Sequence, residues 1–368
     1  KKKKEPIATK KFKKIKGAVY SAFDRLERMS PRDLAEFWMG LAHVASQSYQ
    51  DNKLRNHNQR HDLPMKLNAV LERTMEGIGT TFGPGDLAQT ALGLAKTMKA
   101  VREPKKKNYA KPHRKLRKIL IGKGNKKEQI LGSVMDAARP ALSEFEAQDL
   151  SNLAYAIAIA DVPVPPFDDG SALFDRIAEK SLPLMEELDD QRLSNLIWSF
   201  GEVGVSCPRL YEEVANVVVA LDDLGEFNPT NLSNIVLAYA TAGESHPKLF
   251  GKIGDHIAGI TNYSEFYPMA IANTLWSFAK VGVSHPALFY GLAGHMVAQK
   301  FSQYNHEAIS KVVWAFSRSG ESQPLMYHMM YHKAAVHIAA MRDRRKFATQ
   351  NLVDIVWAFA EAGKPARE

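Results

Sequence analysis

This 368-residue sequence predicts an all-α fold, a right-handed α-solenoid of about eight antiparallel helix pairs. Three observations lead there. A nine-residue phrase recurs as LSNLAYAIA from Leu150, LSNLIWSFG from Leu193, LSNIVLAYA from Leu232, IANTLWSFA from Ile271, ISKVVWAFS from Ile309 and LVDIVWAFA from Leu352. The spacings of 43, 39, 39, 38 and 43 residues are long enough for two helices and their turns. Gly and Pro punctuate most copies at fixed offsets, and no period-two alternation of a β-strand competes with the pattern.

The elements follow in order. Two fainter copies open the chain, LAEFWMGLA from Leu34 behind Pro31 and LAQTALGLA from Leu87 behind Pro84, with Pro64 opening the second helix of the first pair. Their spacings stretch to 53 and 63 residues through a polar insertion near 47–63 and a basic one at 99–127. In the copy from Leu193, Leu193, Leu196, Ile197 and Phe200 fall at i, i+3, i+4 and i+7, the apolar stripe of an amphipathic helix. Gly204, Gly243, Gly282, Gly320 and Gly363 follow such stripes, where a helix commonly ends on a left-handed residue. Pro208, Pro247, Pro286 and Pro324 then open the second helices, and Pro229 and Pro268 open the next first helices. Trp198, Trp276, Trp314 and Trp357 share one repeat position, with Trp38 close to it in the first copy. A ring recurring at a helical position predicts packing between neighbouring repeats rather than a platform for bases.

Charge divides the chain into four parts. The net charge is +9, yet residues 128–368 hold 18 basic and 29 acidic residues and residues 17–98 balance. The excess lies in residues 1–16, with nine Lys and one acid, and in residues 99–127, with thirteen Lys or Arg and one acid. The predicted organisation is therefore a basic N-terminal tail at 1–16, degenerate helical repeats at 17–98, a basic flexible insertion at 99–127 and the main solenoid at 128–368. Segments so rich in Lys bury too little apolar surface to offset chain entropy, which predicts disorder until they bind. The single cysteine, Cys207, excludes a disulfide framework and a cysteine-rich zinc module. The sequence has no apolar run long enough to span a membrane.

The phrase LSNLxWSFxxxGxxxPxLF, carried by residues 193–210 with Tyr211 in the place of the last Phe, and by ANTLWSFAKVGVSHPALF at 272–289, resembles the octotricopeptide-type repeats. These are grouped with the repeats of FAST-kinase-like and RAP-domain proteins. The likeness runs over roughly 31–365 and is strongest from 147 onward. It implies work on RNA in an organelle, the mitochondrion or alternatively the chloroplast, on transcripts or ribosomal RNA. No RAP module is visible at the carboxyl end, so activity tied to that module does not carry over.

Two sets of residues are the predicted RNA contacts. Phosphate neutralisation dominates affinity for nucleic acid, and a solenoid body of net negative charge supplies little of it. The basic segments do, through Lys10, Lys11, Lys13, Lys14, Lys105, Lys106, Lys107, Arg114, Lys115, Arg117, Lys118, Lys126 and Lys127, with Tyr109 and His113 offering stacking. The second set lies on the first helices. On a helical wheel Asn152, Asn195, Asn234 and Asn273 stand opposite the apolar stripe, where helical-repeat readers place base-recognising side chains. Lys311 and Arg318 lie on the same face of a later copy. An Asn recurring there either reaches bases or riboses, or bonds to its neighbours and fixes the repeat geometry.

Little else suggests chemistry. Cys207 aligns with His246, His285 and Gln323, a loop position without a fixed residue type. His328 and His332 are four apart but lack a third ligand, so no metal is expected, and the Gly pairs 77/79 and 122/124 complete no phosphate-binding fingerprint. The reading is of a protein that is not an enzyme, with no cofactor and no small-molecule substrate. It is an organellar RNA-binding protein held on ribosomal RNA beside other ribosomal or ribonucleoprotein subunits. The alternatives are a free transcript-specific stability or translation factor and a scaffold that binds only proteins.

Overall fold

A computed structural model describes residues 17–47, 63–102, 126–160, 172–299, 301–319, 324–341 and 346–361. Among these residues the regular structure is helical throughout, as the repeat pattern requires. The helices fall into two compact units, residues 1–187 and 188–368. No helix of the described residues is long and apolar enough to cross a membrane.

The first unit contains α1 (Pro31–Gln47), α2 (Leu63–Gly77), α3 (Pro84–Arg102), α4 (Lys126–Ala141), α5 (Ala147–Ala160) and α6 (Leu173–Ser181). The helices that carry the repeated phrase, α1, α3 and α5, pack side by side in that order. Ser30 and Asp33 start α1 with a reciprocal capping box: the Ser30 hydroxyl accepts from the Asp33 N–H (3.2 Å), and the Asp33 carboxylate accepts from the Ser30 N–H (2.8 Å). Those bonds to Ser30 hold the Asp33 carboxyl below the usual carboxylate pKa. The joint between α1 and α3 is close because Gly93 has no side chain; a Cβ there would stand 2.6 Å from the Trp38 carbonyl carbon. Trp38 is fully buried and its indole N–H donates to the Thr74 hydroxyl at 3.1 Å. It lies one residue before the recurrent Trp position, which Met39 holds in this copy. The basic insertion joins α3 to α4, two helices that pack on each other within this unit.

The second unit is the regular one. Its first helices are α7 (Asp190–Val203), α9 (Pro229–Ala242), α11 (Pro268–Val281), α13 (His306–Arg318) and α15 (Thr349–Glu361). They alternate with the second helices α8 (Pro208–Ala220), α10 (Pro247–Ala258), α12 (Pro286–Ala298) and α14 (Pro324–Ala340). Each first helix packs on the next first helix and each second helix on the next second helix, which is the solenoid the repeat predicts.

The starts and stops have side-chain causes. Asp189, Asn228 and Asn305 cap α7, α9 and α13 by accepting from Arg192, Asn231 and Ala308 N–H at 2.8, 3.0 and 2.8 Å. Gly204, Gly243 and Gly282 end α7, α9 and α11 at φ of 74°, 77° and 74°, a left-handed turn that residues with a Cβ adopt only under strain. Gly320 and Gly363 lie outside the described residues.

The loop position of Cys207 turns out to be the cap of the second helix. His246 and His285 accept through Nδ1 from the N–H of Leu249 and Leu288, each at 3.2 Å, whereas Cys207 makes no such bond. The other ring nitrogen of His285 reaches the Asp255 carboxylate of the preceding repeat at 3.2 Å, and the ring lies over Gly254.

The core between the two helix layers is a chain of rings. Tyr211, Tyr239, Phe250 and Phe278 meet edge to face at successive centroid distances of 5.0, 6.3 and 5.0 Å, each almost wholly buried. Burying one such ring contributes roughly 2–3 kcal/mol. The Tyr239 hydroxyl donates to the Tyr211 carbonyl, and burial pushes both phenol pKa values well above their ordinary range.

Candidate nucleic-acid interface

The strip on the first helices is built by repeat periodicity. Five residues after the opening Leu or Ile of each phrase stands a large side chain: Tyr155, Trp198, Leu237, Trp276, Trp314 and Trp357. On α11, α13 and α15 the indoles form a column, Trp276 to Trp314 at 6.1 Å and Trp314 to Trp357 at 6.5 Å, tilted by 38° and 36°. These are packing distances for aromatic pairs, and Trp276 and Trp314 are half-buried while Trp357, at the end of the column, is exposed. Packing between repeats, expected from the recurrence, is what the column does.

Within each unit, cations recur at a second fixed position of the repeat. Nine residues after the opening Leu or Ile lie Lys96 and Arg318, each over the aromatic ring of the following first helix. Lys96 is 6.0 Å from the Tyr155 centroid in the first unit, and Arg318 is 5.5 Å from that of Trp357 in the second. Burial lowers the Lys96 pKa, while Arg318 is exposed. Lys280 holds the same position on α11 and is exposed, whereas Glu202, Thr241 and Glu361 hold it on α7, α9 and α15. The positive stretch of this strip is thus on α11 and α13. Lys96 was missed by reading the sequence, although its offset, identical to that of Arg318, was the available signal.

The Asn position differs from its expected place on an open face. Asn273 is buried, at 8% exposure, and its side-chain oxygen accepts from Lys311 at 2.8 Å. Asn195 and Asn234 are half-buried, as is Asn152 in the first unit. The helical wheel goes astray for a physical reason. It assumes one buried side, but a first helix inside the stack is covered by second helices beneath and by first helices on both flanks, so only a narrow strip stays open. Lys311 is drawn into the same joint: it pairs with Glu307 at 3.0 Å and lies 5.7 Å from the Trp276 centroid. Its ammonium is paired with Glu307 and Asn273, whereas Lys280 and Arg318 are exposed.

At the start of α3 and α5 the first unit is acidic, with Asp86, Glu144, Glu146 and Asp149 beside Arg32. Burial raises the Asp149 pKa, and the carboxylates of Glu146 and Asp86 add to it. A phosphate chain would be repelled there.

The predicted basic contacts Lys10, Lys11, Lys13, Lys14, Lys105, Lys106, Lys107, Arg114, Lys115, Arg117 and Lys118, with Tyr109 and His113, lie outside the described residues, while Lys126 and Lys127 open α4. His328 and His332 are both exposed on α14, and among the described residues no group of three or more His, Cys, Asp or Glu side chains is placed to hold a metal.

Two comparisons bear on this surface. The sequence family described as RNA-editing substrate-binding complex 6 protein matches residues 141–363, more than half of the chain and the stretch where the phrase repeats most regularly. No curated protein matches the chain.

Proposed function

Because the chain belongs to the RNA-editing substrate-binding complex 6 family, we propose that it is a non-catalytic RNA-binding subunit of such a complex, working in the mitochondrion. The observation that carries this reading is the coincidence of the family match with the repeats from 141 onward. The organellar ribonucleoprotein expected from the repeats is, on this reading, an assembly that holds RNA-editing substrates instead of a ribosome, and a chloroplast location finds no support. The octotricopeptide-type likeness is kept only in its coarser form, a helical-repeat protein associated with RNA.

The division of labour follows from charge. The lysine-rich segments at 1–16 and 99–127 supply the phosphate contacts, and Lys280 and Arg318 hold RNA along α11 and α13. The acidic repeats give shape and joints. Asn195 and Asn234, half-buried at the edge of the strip, contact RNA secondarily; Asn273 serves the joint with Lys311.

The test is binding of an unstructured RNA oligonucleotide across a range of KCl concentrations. Deleting residues 99–127 lowers affinity and flattens the plot of log affinity against log salt, by about 0.7 for each phosphate that is no longer neutralised. The pair Lys280→Glu and Arg318→Glu lowers affinity further. An unaltered salt slope in the deletion variant sinks the proposal.

A further inference from the structure

The loops that lead into α9 and α11 meet at the end of α10, and between them lies a cleft of about 310 Å³, at the low end of the ~300–1,000 Å³ range of small-ligand pockets. Its floor is apolar: Phe227, Leu232 and Phe266 are almost wholly buried. Its rim holds Glu226 and Glu265, both exposed, and none of its lining residues is Lys or Arg. The two carboxylates sit at one repeat position, two residues before Asn228 and Tyr267, where α9 and α11 begin. Among the described residues neither carboxylate has a hydrogen bond or an ion pair.

The next repeat fills the corresponding place with a ring. Tyr263, four residues before Tyr267, stands against His295 of α12 at 5.6 Å. Leu224, four residues before Asn228, holds the position of Tyr263 in the cleft's own repeat, and His256, which holds that of His295, lines the cleft instead. An apolar floor under two unpaired carboxylates suits a side chain with an apolar stem and a cationic head. Arginine suits it better than lysine, because its planar guanidinium offers donors along more than one edge and meets two carboxylates at once, whereas an ammonium is a point charge. Neighbouring helices pack ~8–10 Å apart, a span that two flexible Glu side chains close onto one guanidinium. The cation of α10 nearest in sequence to His256, Lys252, is engaged by the Val219 and Leu221 carbonyls. RNA is the poorer match. Asp222 and Asp223, exposed in the loop that leads into α9, add to the negative charge that a phosphate would meet, and the buried rings of the floor offer no open face to a base.

We propose that this cleft binds the side chain of an arginine in a polypeptide segment, its methylene stem on Phe227 and Phe266 and its guanidinium between Glu226 and Glu265. Such a site gives the acidic solenoid a contact with basic polypeptide that is separate from the RNA strip on the first helices.

The probe is the blocked peptide acetyl-Gly-Ser-Arg-Ser-Gly-amide, titrated into the full chain carrying nitrogen-15 phenylalanine and followed by NMR. The amide signals of Phe227 and Phe266 are expected to shift saturably, and the same peptide with Lys in place of Arg is expected to bind about threefold more weakly. Glu226→Gln and Glu265→Gln each lower the affinity about two- to fivefold. Both residues are exposed, so the melting temperature of these variants stays as in wild type. Signals that do not move, equal binding of the Arg and Lys peptides, or undiminished affinity in the double variant overturns the proposal, and so does an oligouridine that shifts the same two signals. Deleting residues 99–127 separates the sources of the arginine. Unchanged peptide affinity assigns it to another protein, whereas an affinity about tenfold higher assigns it to the arginines of that insertion, which then compete for the cleft. Failure of RNA binding would sink the editing-complex reading and leave the peptide titration unaffected.

Discussion

Gly254 and His285 show how one missing methyl group holds two repeats together. A Cβ on Gly254 would overlap the His285 imidazole, which is fixed by the Leu288 N–H on one side and the Asp255 carboxylate on the other. Gly254→Ala therefore carries opposing effects: alanine gains up to about 1 kcal/mol of helix propensity, and the crowded ring costs about 1–3 kcal/mol. Net loss is expected in urea denaturation of the wild-type background. In a His285→Ala background, itself weaker by about 1 kcal/mol through the lost cap, the same substitution stabilises, and that reversal of sign is the decisive measurement. A second residue sets a pH response. Burial lowers the His295 pKa below its ordinary 6.5, with Tyr263 against the ring at 5.6 Å. The unfolded chain then takes up the proton first as pH falls, so the contribution of this site is full above about 6.5 and is lost between there and the depressed folded value. Thermal denaturation at about pH 7.5 and about pH 5 is expected to show wild type losing more stability on acidification than a His295→Phe variant.

Among the elements, first helices were the most legible part of the sequence and their surfaces the least. The stripe of Leu193, Leu196, Ile197 and Phe200 located α7, all four being buried, and Gly204 and Pro208 marked its end and the start of α8. The glycine stops predict a uniform cost. Gly243→Ala, at φ 77° with open space around the added methyl, loses about 1 kcal/mol from backbone strain alone, seen as a lowered midpoint in urea with an unchanged slope. What periodicity within one helix could not supply was the burial imposed by the flanking helices. Asn273 reads as a solvent-facing residue on a wheel and is in fact closed over by Lys311 from α13, 38 residues away. The histidine caps escaped notice for a related reason: Cys207 stands at the same position without capping, so no single residue type recurred there.

For the molecule as a whole, charge and repeat length were readable at once because both are sums over many residues, whereas the strip proposed to hold RNA depends on which few cations stay exposed after packing. Lys311 and Arg318 look alike in the sequence; only the joint at Asn273 and Glu307 separates them. The salt dependence of RNA binding is the property of the entire chain that tests this partition, since basic segments and strip contribute to a single slope. The clasp between α10 and α12 bears on how such arrays can be lengthened or shortened. Because a histidine at the head of one second helix occupies the gap left by a glycine in the preceding one, a cut made in the loop between them would hand each half an unmatched partner. A graft taken from the middle of one second helix to the middle of the next would carry the glycine forward and find its histidine waiting, and recombination at those interior points is where added or removed copies should be tolerated.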